Sequence, residues 1–399
     1  MPSTKREPKG TLKNKYVLHI GIVGLGFIGP HHINAFRSVD SPRIEVDACA
    51  VGKNDFARKK AKAIESGFDP DRIYKSLEDM IKAEKGKLDL IFVATPNHLH
   101  KEQCTAIVKA GFHLGVDKPL ARNLREADEI LAAVEEAGVE AFVTPTYCRH
   151  AAVIEARHLI RVTQKIKPQA LIGGIFKYLQ GWLKKKQKNM TPEEGAKLAK
   201  WRRDRNLSGE GGATGDILSH LLFQLEDITG LRVVSVRANR RWAVEGKKSG
   251  FTDDEVIAQV TLENGAVITL MAVQYAGGHD NDNSFELWLK GGTTVGWDVV
   301  DGEVLRVCMK GGPVQHRTRA HFKSPLHGET NTMPGRHNDG WKDADGRHAC
   351  SAARSILRWK THVPFHTTVK TARNINAVCD AIIESSSGPF TNVAVDWRN

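Results

Sequence analysis

The stretch from His19 to Gly29, HIGIVGLGFIG, constrains this chain more than any other. It runs an apolar strand directly into Gly24, Gly26 and Gly29 in G-x-G-x-x-G spacing. Glycines there let the backbone turn sharply and approach a pyrophosphate, and a following helix points free N–H groups and its positive dipole end at the anion. Taken alone, the pattern also suits an ordinary strand-turn-helix packed through glycines. Its context favours the phosphate turn, because a strand is predicted over Tyr16 to Val23 and a helix over His32 to Arg37. The first cofactor candidates are therefore Gly24, Gly26, Phe27, Ile28 and Gly29.

From Tyr16 to about Pro145 short apolar runs alternate with amphipathic segments, which is how a parallel sheet with crossover helices reads. Strands are predicted at Tyr16 to Val23, Arg43 to Val51, Leu88 to Val93, His113 to Val116 and Ala141 to Val143. Helices fall between them, at Asp55 to Glu65, Ser76 to Ala83, Lys101 to Ala110 and Leu124 to Ala137. Past Tyr147 the pattern changes. A helix over Ala151 to Val162 and a strand over Leu171 to Leu179 lead to a basic segment and a helix starting near Asp216. Strands then recur at Val233 to Arg240, Val256 to Leu262, Val267 to Tyr275, Ser284 to Leu289, Thr293 to Trp297 and Val304 to Met309, as in a mostly antiparallel sheet. Lys310 to Asp345, rich in Gly, Pro, His and Asn, reads as a long loop, and helices at Asp345 to Trp359 and Val369 to Glu384 close the chain.

A length of 399 residues exceeds what one core supports, so two domains are expected. The reading is an α/β chain: a basic disordered tail over 1–15, a doubly wound parallel-sheet domain over 16–146, and an α+β domain over 147–399 whose last helices can pack back on the first. The tail has no apolar centre of a secretory signal and no run is long enough for a membrane span, so a cytoplasmic protein is expected. Six scattered cysteines without a C-x-x-C pair argue against disulfides and zinc, and 17 histidines form no H-E-x-x-H or comparable ligand set. No metal is expected. The net charge of +12 gathers in the tail and in Lys184 to Arg205; with no recognised nucleic-acid module beside it, a solvated face or attraction of anionic ligands remains.

An acid after the second strand, which would bind ribose hydroxyls in an NAD site, is missing. The strand runs out through Ala50, Val51 and Gly52 into Lys53 and Asn54, with Arg58 and Lys59 close behind. That charge suits a 2'-phosphate and leans towards NADP, although neutral strand ends also accept NAD. Asp117, Lys118 and Pro119 follow the fourth strand, at the carboxyl edge where ligands sit in open α/β sheets. A lysine there can hydrogen-bond a substrate hydroxyl or take part in proton transfer; a surface lysine in a strand-helix loop is the plain alternative. In GGATGDILSHLL, Asp216 and His220 stand at i and i+4 on one helix face, where a carboxylate and an imidazole can address one cleft. His220 could take a hydroxyl proton with Asp216 orienting it, or the pair could be a helix cap and a buried histidine.

Four matches in order, GIVGLGFIG at Gly21 to Gly29, ATPNHLH at Ala94 to His100, DKPLA at Asp117 to Ala121 and GGATGDILSH at Gly211 to His220, resemble the glucose-fructose oxidoreductase, inositol dehydrogenase and MocA family (Gfo/Idh/MocA). The resemblance runs from Tyr16 to about Val395 and implies a Rossmann domain, an open-faced sheet domain that builds homodimers or homotetramers, and oxidation of a sugar or polyol hydroxyl by NAD(P). It makes Lys118 the active-site lysine and Asp216 and His220 the Asp-x-x-x-His pair. It also places Thr95, Pro96, Asn97, His100, Asp117 and Lys118 beside the cofactor. Asp117 stands where the family usually has Glu, and Phe223 where many members have Asp.

YLQGWL at Tyr178 to Leu183, WRRD at Trp201 to Asp204 and PGRHNDGW at Pro334 to Trp341 look like a sugar-oxidising branch. Aromatic faces stack on sugar C–H surfaces while polar side chains fix hydroxyls, so Tyr178, Gln180, Trp182, Arg202 and His337 are the substrate candidates. The implied activity is dehydrogenation of a secondary hydroxyl of a sugar, glycoside or cyclic polyol. Two alternatives stay open: glycoside cleavage through a transient keto-sugar with no net redox change, and a non-catalytic dinucleotide sensor.

Overall fold

The structure, a computed structural model, describes residues 16–162, 168–183, 201–244, 250–324, 340–358, 367–388 and 392–397. His337 lies outside them, as does most of the basic segment after Leu183.

The first sheet is built from β1 (Val17–Val23), β2 (Arg43–Ala50), β3 (Ile73–Tyr74), β4 (Leu90–Val93), β5 (His113–Asp117) and β6 (Ala141–Thr144), in the order β3-β2-β1-β4-β5-β6. All neighbours pair in parallel. β4 and the inner half of β1 are buried on both faces, as crossover helices require. Helices Gly29–Arg37, Phe56–Glu65, Leu77–Glu84, His100–Lys109 and Leu124–Ala137 make the connections. The first begins inside the glycine turn, three residues before the predicted start at His32. β3, only two residues long, carries too little pattern to be predicted.

The second sheet comprises β7 (Leu171–Gln180), β8 (Val233–Arg241), β9 (Glu255–Leu262), β10 (Val267–Val273), β11 (Asp280–Leu289), β12 (Thr293–Asp298), β13 (Leu305–Cys308), β14 (Val314–Arg317) and β15 (Val393–Ala394). Their order is β14-β13-β12-β11-β7-β10-β9-β8-β15, and only β7 with β10 is parallel. One face buries Phe176, Ile268, Leu270, Phe285, Leu287 and Trp297 in the main core with Leu221 and Leu225 of helix Ser219–Thr229. The other face leaves Ile257, Val267 and Trp288 exposed. β14 and the turn Arg319–His321 lie in the stretch predicted as one long loop; there the strand's four residues, none of them buried, lack the apolar alternation that marks a strand. Helix Trp341–Ile356 starts four residues before its predicted start at Asp345 and packs on helix Gly29–Arg37 of the first sheet. None of the six cysteines is in a disulfide. Among the described residues no helix is long and apolar enough to cross a membrane, and no group of three or more His, Cys, Asp or Glu could hold a metal ion.

The chain enters helix Ser219–Thr229 through a widened turn, Ala213–Leu218, held from β9's approach by Asp253. The Asp253 carboxylate accepts from the Gly212 N–H, from Thr214 Oγ1 at 2.5 Å and from Arg240 Nε at 3.0 Å, all of it buried. A Cβ on Gly212 would lie 2.1 Å from the Asp253 carbonyl oxygen, so only glycine fits so close an approach. Asp253→Ala strands the Arg240 guanidinium in the core, and the expected loss is about 3–5 kcal/mol in denaturant unfolding. A loss under about 1 kcal/mol would contradict this role for the pair.

Candidate functional site

The glycine turn hangs between two strands: Gly24 N–H donates to Ala50 O at 3.0 Å, and Ala94 N–H to Val23 O at 2.8 Å. Gly24 has φ +97°, and a Cβ on it would meet Ala94 O at 2.6 Å. One on Gly29 would meet Gly24 O at 2.3 Å, whereas one on Gly26 would have nothing within 4 Å. The first and third glycines thus permit the turn and the close helix contact, and the second keeps a side chain out of the open side. Helix Gly29–Arg37 starts here with no side-chain cap, so its positive dipole end faces the turn; Pro30 carries no N–H and His31 N–H donates to Ile28 O at 3.0 Å, which leaves the turn's own backbone to meet an anion. This cradle fits a dinucleotide pyrophosphate. Phe27 stands half exposed beside it, and Ile28 occupies the N-cap position.

At the tip of β2, Lys53 and Asn54 are exposed, and Lys59 Nζ would lie 3.5 Å from a Cβ on Gly52. Arg58 Nε donates to Asp55 Oδ2 at 2.5 Å, so the nearest acid is engaged by a cation on its own helix.

Lys118 leaves the end of β5 and crosses to the second sheet's helix entry. Its Nζ donates to Asp216 Oδ1 at 2.9 Å and to the Asp216 carbonyl at 2.6 Å. Gln274 Nε2 reaches Asp216 Oδ2 at 3.4 Å. Desolvation works to raise the Asp216 carboxyl, but the charges of Lys118 and Arg202 and the Lys118 hydrogen bond outweigh it and hold it well below the usual range. Asp216 is a carboxylate at any working pH.

His220, one turn on, is 6% exposed. Burial, then the Lys118 charge, push its imidazole well below 6.5 despite Asp216 and Asp117. It is therefore neutral near pH 7, with Nδ1 buried and without a protein partner. Tyr147 stands edge-on to it, ring centroids 5.1 Å apart, and Tyr178 lies at 5.7 Å. The two phenol oxygens are 3.0 Å apart. Burial pushes Tyr147 up to about 12 and Tyr178 well above its ordinary value, so both keep their protons.

Several candidates are committed to the protein itself. His100 presents Nδ1 to the carbonyls of Pro119 (3.0 Å) and Leu120 (3.3 Å), and Nε2 to that of Thr95 (2.8 Å). With both ring nitrogens beside protein carbonyls, His100 links the turn after Lys118 to the loop at Thr95. Asn97, after Pro96, donates from Nδ2 to Ser208 O at 3.0 Å and so ties the loop to the second unit. Thr95 Oγ1 donates to Gln103. Asp117 sits 3.4 Å from His32 Nε2.

Of the substrate candidates, Gln180 donates to the Tyr178 hydroxyl (3.1 Å) and to Asn281 Oδ1 (2.5 Å), while its Oε1 is buried with no protein partner. Trp182 is half-buried just past β7. Arg202 lies over the Trp201 ring at 5.3 Å, and its charge bears on Asp216. Sequence reasoning missed Tyr147, Gln274 and Asn281. Tyr147 had a signal, since it follows β6 at the carboxyl edge that carries Lys118; Gln274 and Asn281 had none before the strands were paired.

Residues 18–144 match GFO_IDH_MocA, an oxidoreductase family with an NAD-binding Rossmann fold, and residues 184–295 match the GFO/IDH/MocA C-terminal domain. A levoglucosan dehydrogenase of Pseudarthrobacter phenanthrenivorans is 27% identical over 300 residues, 68% of this chain and 71% of that one. A solved levoglucosan dehydrogenase in complex with NADH and L-sorbose has the same fold, with TM-score 0.81 at 23% identity over 96% of this chain and 100% of that one. So does an inositol dehydrogenase homologue from Azotobacter vinelandii complexed with NADH and myo-inositol, with TM-score 0.81 at 18% identity over 94% and 97% of the two chains. With both of its sheet units matched in order, the chain belongs to the Gfo/Idh/MocA family of NAD-dependent oxidoreductases.

Proposed function

We propose that this protein is a dehydrogenase acting on a secondary hydroxyl of a sugar, glycoside or cyclic polyol. The observation that carries the reading is the Lys118–Asp216 contact, at 2.9 Å, with a neutral His220 one turn away, across from a dinucleotide cradle. A pure sensor needs no such set. The relatives named for levoglucosan and inositol support the substrate class.

A bound nicotinamide dinucleotide supplies the hydride acceptor. Gly24, Gly26 and Gly29 with Phe27 and Ile28 would hold its pyrophosphate, and Thr95, Pro96, Asn97 and Asp117 would frame the far end. Lys118 donates a hydrogen bond to the reacting oxygen while Asp216 fixes its ammonium. His220 accepts the hydroxyl proton as charge develops on that oxygen. Tyr178, Gln180, Trp182 and Arg202 orient the ring hydroxyls, with Tyr147 as the wall behind His220. The basic tip of β2, with Lys53, Asn54 and Arg58, favours NADP over NAD. The exposed sheet face with Ile257, Val267 and Trp288 is the surface for a homodimer or homotetramer.

A spectrophotometric screen of sugars and glycosides with NAD and NADP is expected to find reduced cofactor accumulating with one class. Released aglycone without reduced cofactor would replace this reading by redox-neutral cleavage, and binding without any turnover by a sensor. His220→Ala should lower turnover by roughly 10²–10⁴-fold with cofactor affinity intact; an unchanged rate removes His220 from the chemistry. Because the imidazole is held below 6.5, the neutral base persists as pH falls through that value, and kcat/KM should decline only further down. An acid limb at 6.5 or above that disappears in His220→Ala would contradict this. Replacing Lys53 and Arg58 together by Ala should weaken NADP about tenfold more than NAD. Equal losses would locate 2'-phosphate selection elsewhere.

A further inference from the structure

One buried histidine is used by none of the steps above. His32 lies in the second turn of helix Gly29–Arg37, fully inside the protein, with its ring 4.5 Å from that of Phe92. Its Nε2 faces Asp117 Oδ1 at 3.4 Å, and Asp117 is the residue immediately before Lys118. Asp345, 3% exposed, lies on helix Trp341–Ile356, and its Oδ1 is buried without a hydrogen-bond partner. That helix packs on the helix of His32 and on the turn Thr146–Arg149 that carries Tyr147. His32 thus links the helix of the glycine turn to the strand end that carries Lys118.

We propose that His32 is a positioning residue for Lys118: buried against Phe92 with its Nε2 on Asp117, it fixes the strand end bearing the lysine to the helix that begins at the glycine turn. This rests on the reading that Lys118 works at the reacting oxygen.

The electrostatics agree with the geometry. Burial works to lower the His32 imidazole, but its hydrogen bond to Asp117 and the charges of Asp345 and Asp117 outweigh it, so it is raised above 6.5. Burial also works to raise Asp117, yet the hydrogen bond and charge of His32, with Lys118 and His100 beyond, hold that carboxyl below its ordinary value. Asp345 is pushed up to about 6 by burial, against the charge of His32 and a hydrogen bond from Thr146 and with the like charge of Asp117. His348, on the same helix as Asp345, is pushed well below 6.5 by burial and then by Arg149, so it brings no competing charge near neutrality. Both directions favour a protonated His32 beside an ionised Asp117, with the Asp345 charge adding to the pull on the proton, in a dry setting. A charged donor of that kind stays put; a neutral imidazole 3.4 Å away would hold Asp117 only loosely.

A mispositioned lysine weakens the stabilisation of the reacting oxygen without touching the dinucleotide turn. His32→Leu, which keeps the packing against Phe92, is therefore expected to lower kcat roughly 10- to 100-fold while the dissociation constants for NAD and NADP stay within about twofold. His32→Gln, which can place an amide N–H near the Nε2 position, should recover most of that loss. Wild-type kcat in His32→Leu overturns the proposal. So does an equal loss of kcat and cofactor affinity in both variants, which marks a merely structural residue. A second measurement is independent of turnover: NMR titration of ¹⁵N-histidine-labelled protein should find His32 losing its proton above 6.5, and earlier in Asp345→Asn. A His32 titrating at or below 6.5, or indifferent to Asp345→Asn, overturns the cluster even if no sugar substrate is found. A failed substrate screen with the expected titration overturns only the catalytic reading on which the lysine's role depends.

Discussion

The arrangement depends on one ion pair that bridges the two sheets. Lys118 comes from the edge of the parallel sheet and Asp216 from the helix entry of the second unit, 98 residues later, and neither is freely solvated. The contact is doubled, because the ammonium also meets the Asp216 carbonyl. Burying two charges costs several kcal/mol, and good geometry mainly returns that cost. The pair is therefore better understood as fixing where the lysine points than as a source of stability. It also decides the state of its neighbours: a cation held this close keeps Asp216 ionised and works against a second cation at His220.

Each partner of that pair is fixed from behind by its own unit. On the Lys118 side, the buried His100 ring lies between the carbonyls of Pro119 and Leu120 in the following turn and that of Thr95, and Asn97 links the same region to Ser208. On the Asp216 side, the Asp253 and Arg240 pair holds the glycine entry at Gly212 and Thr214. Glycines matter at both places for the same reason, since backbone must approach backbone more closely than a Cβ allows. The fold thus brings a flexible lysine and a helix-borne imidazole to one cleft through rigid local contacts, which is the precondition for orienting a small substrate.

How far this was legible from residues depended on range. Five of the six parallel strands and their helices were read to within about three residues, because each of these elements carries its own periodicity and caps, such as Asn123 before helix Leu124–Ala137. The glycine turn and the i, i+4 spacing of Asp216 and His220 are local patterns too. What could not be read were contacts made by pairing: Tyr147 with Tyr178, Gln274 with Asp216, and His32 with Asp117 across 85 residues. His100 shows the same limit: its motif is local, but the carbonyls round its ring come from two separate turns.

The charge balance of the cleft bears on the direction of the proposed chemistry. Lys118 is offset by Asp216, Arg202 adds a further positive charge that bears on Asp216, and His220 is neutral. Accepting a proton would put an imidazolium beside Lys118, and the low dielectric of the site magnifies that repulsion. His220 is consequently a weak base that releases its proton readily, at the expense of some driving force for taking it. Reduction of a ketone would instead require the imidazolium to be in place beforehand, in a site arranged against it. The same burial and lysine charge that make His220 neutral leave it, at neutral pH, in the form that can accept a proton, and make its protonated form the stronger acid in the reverse step.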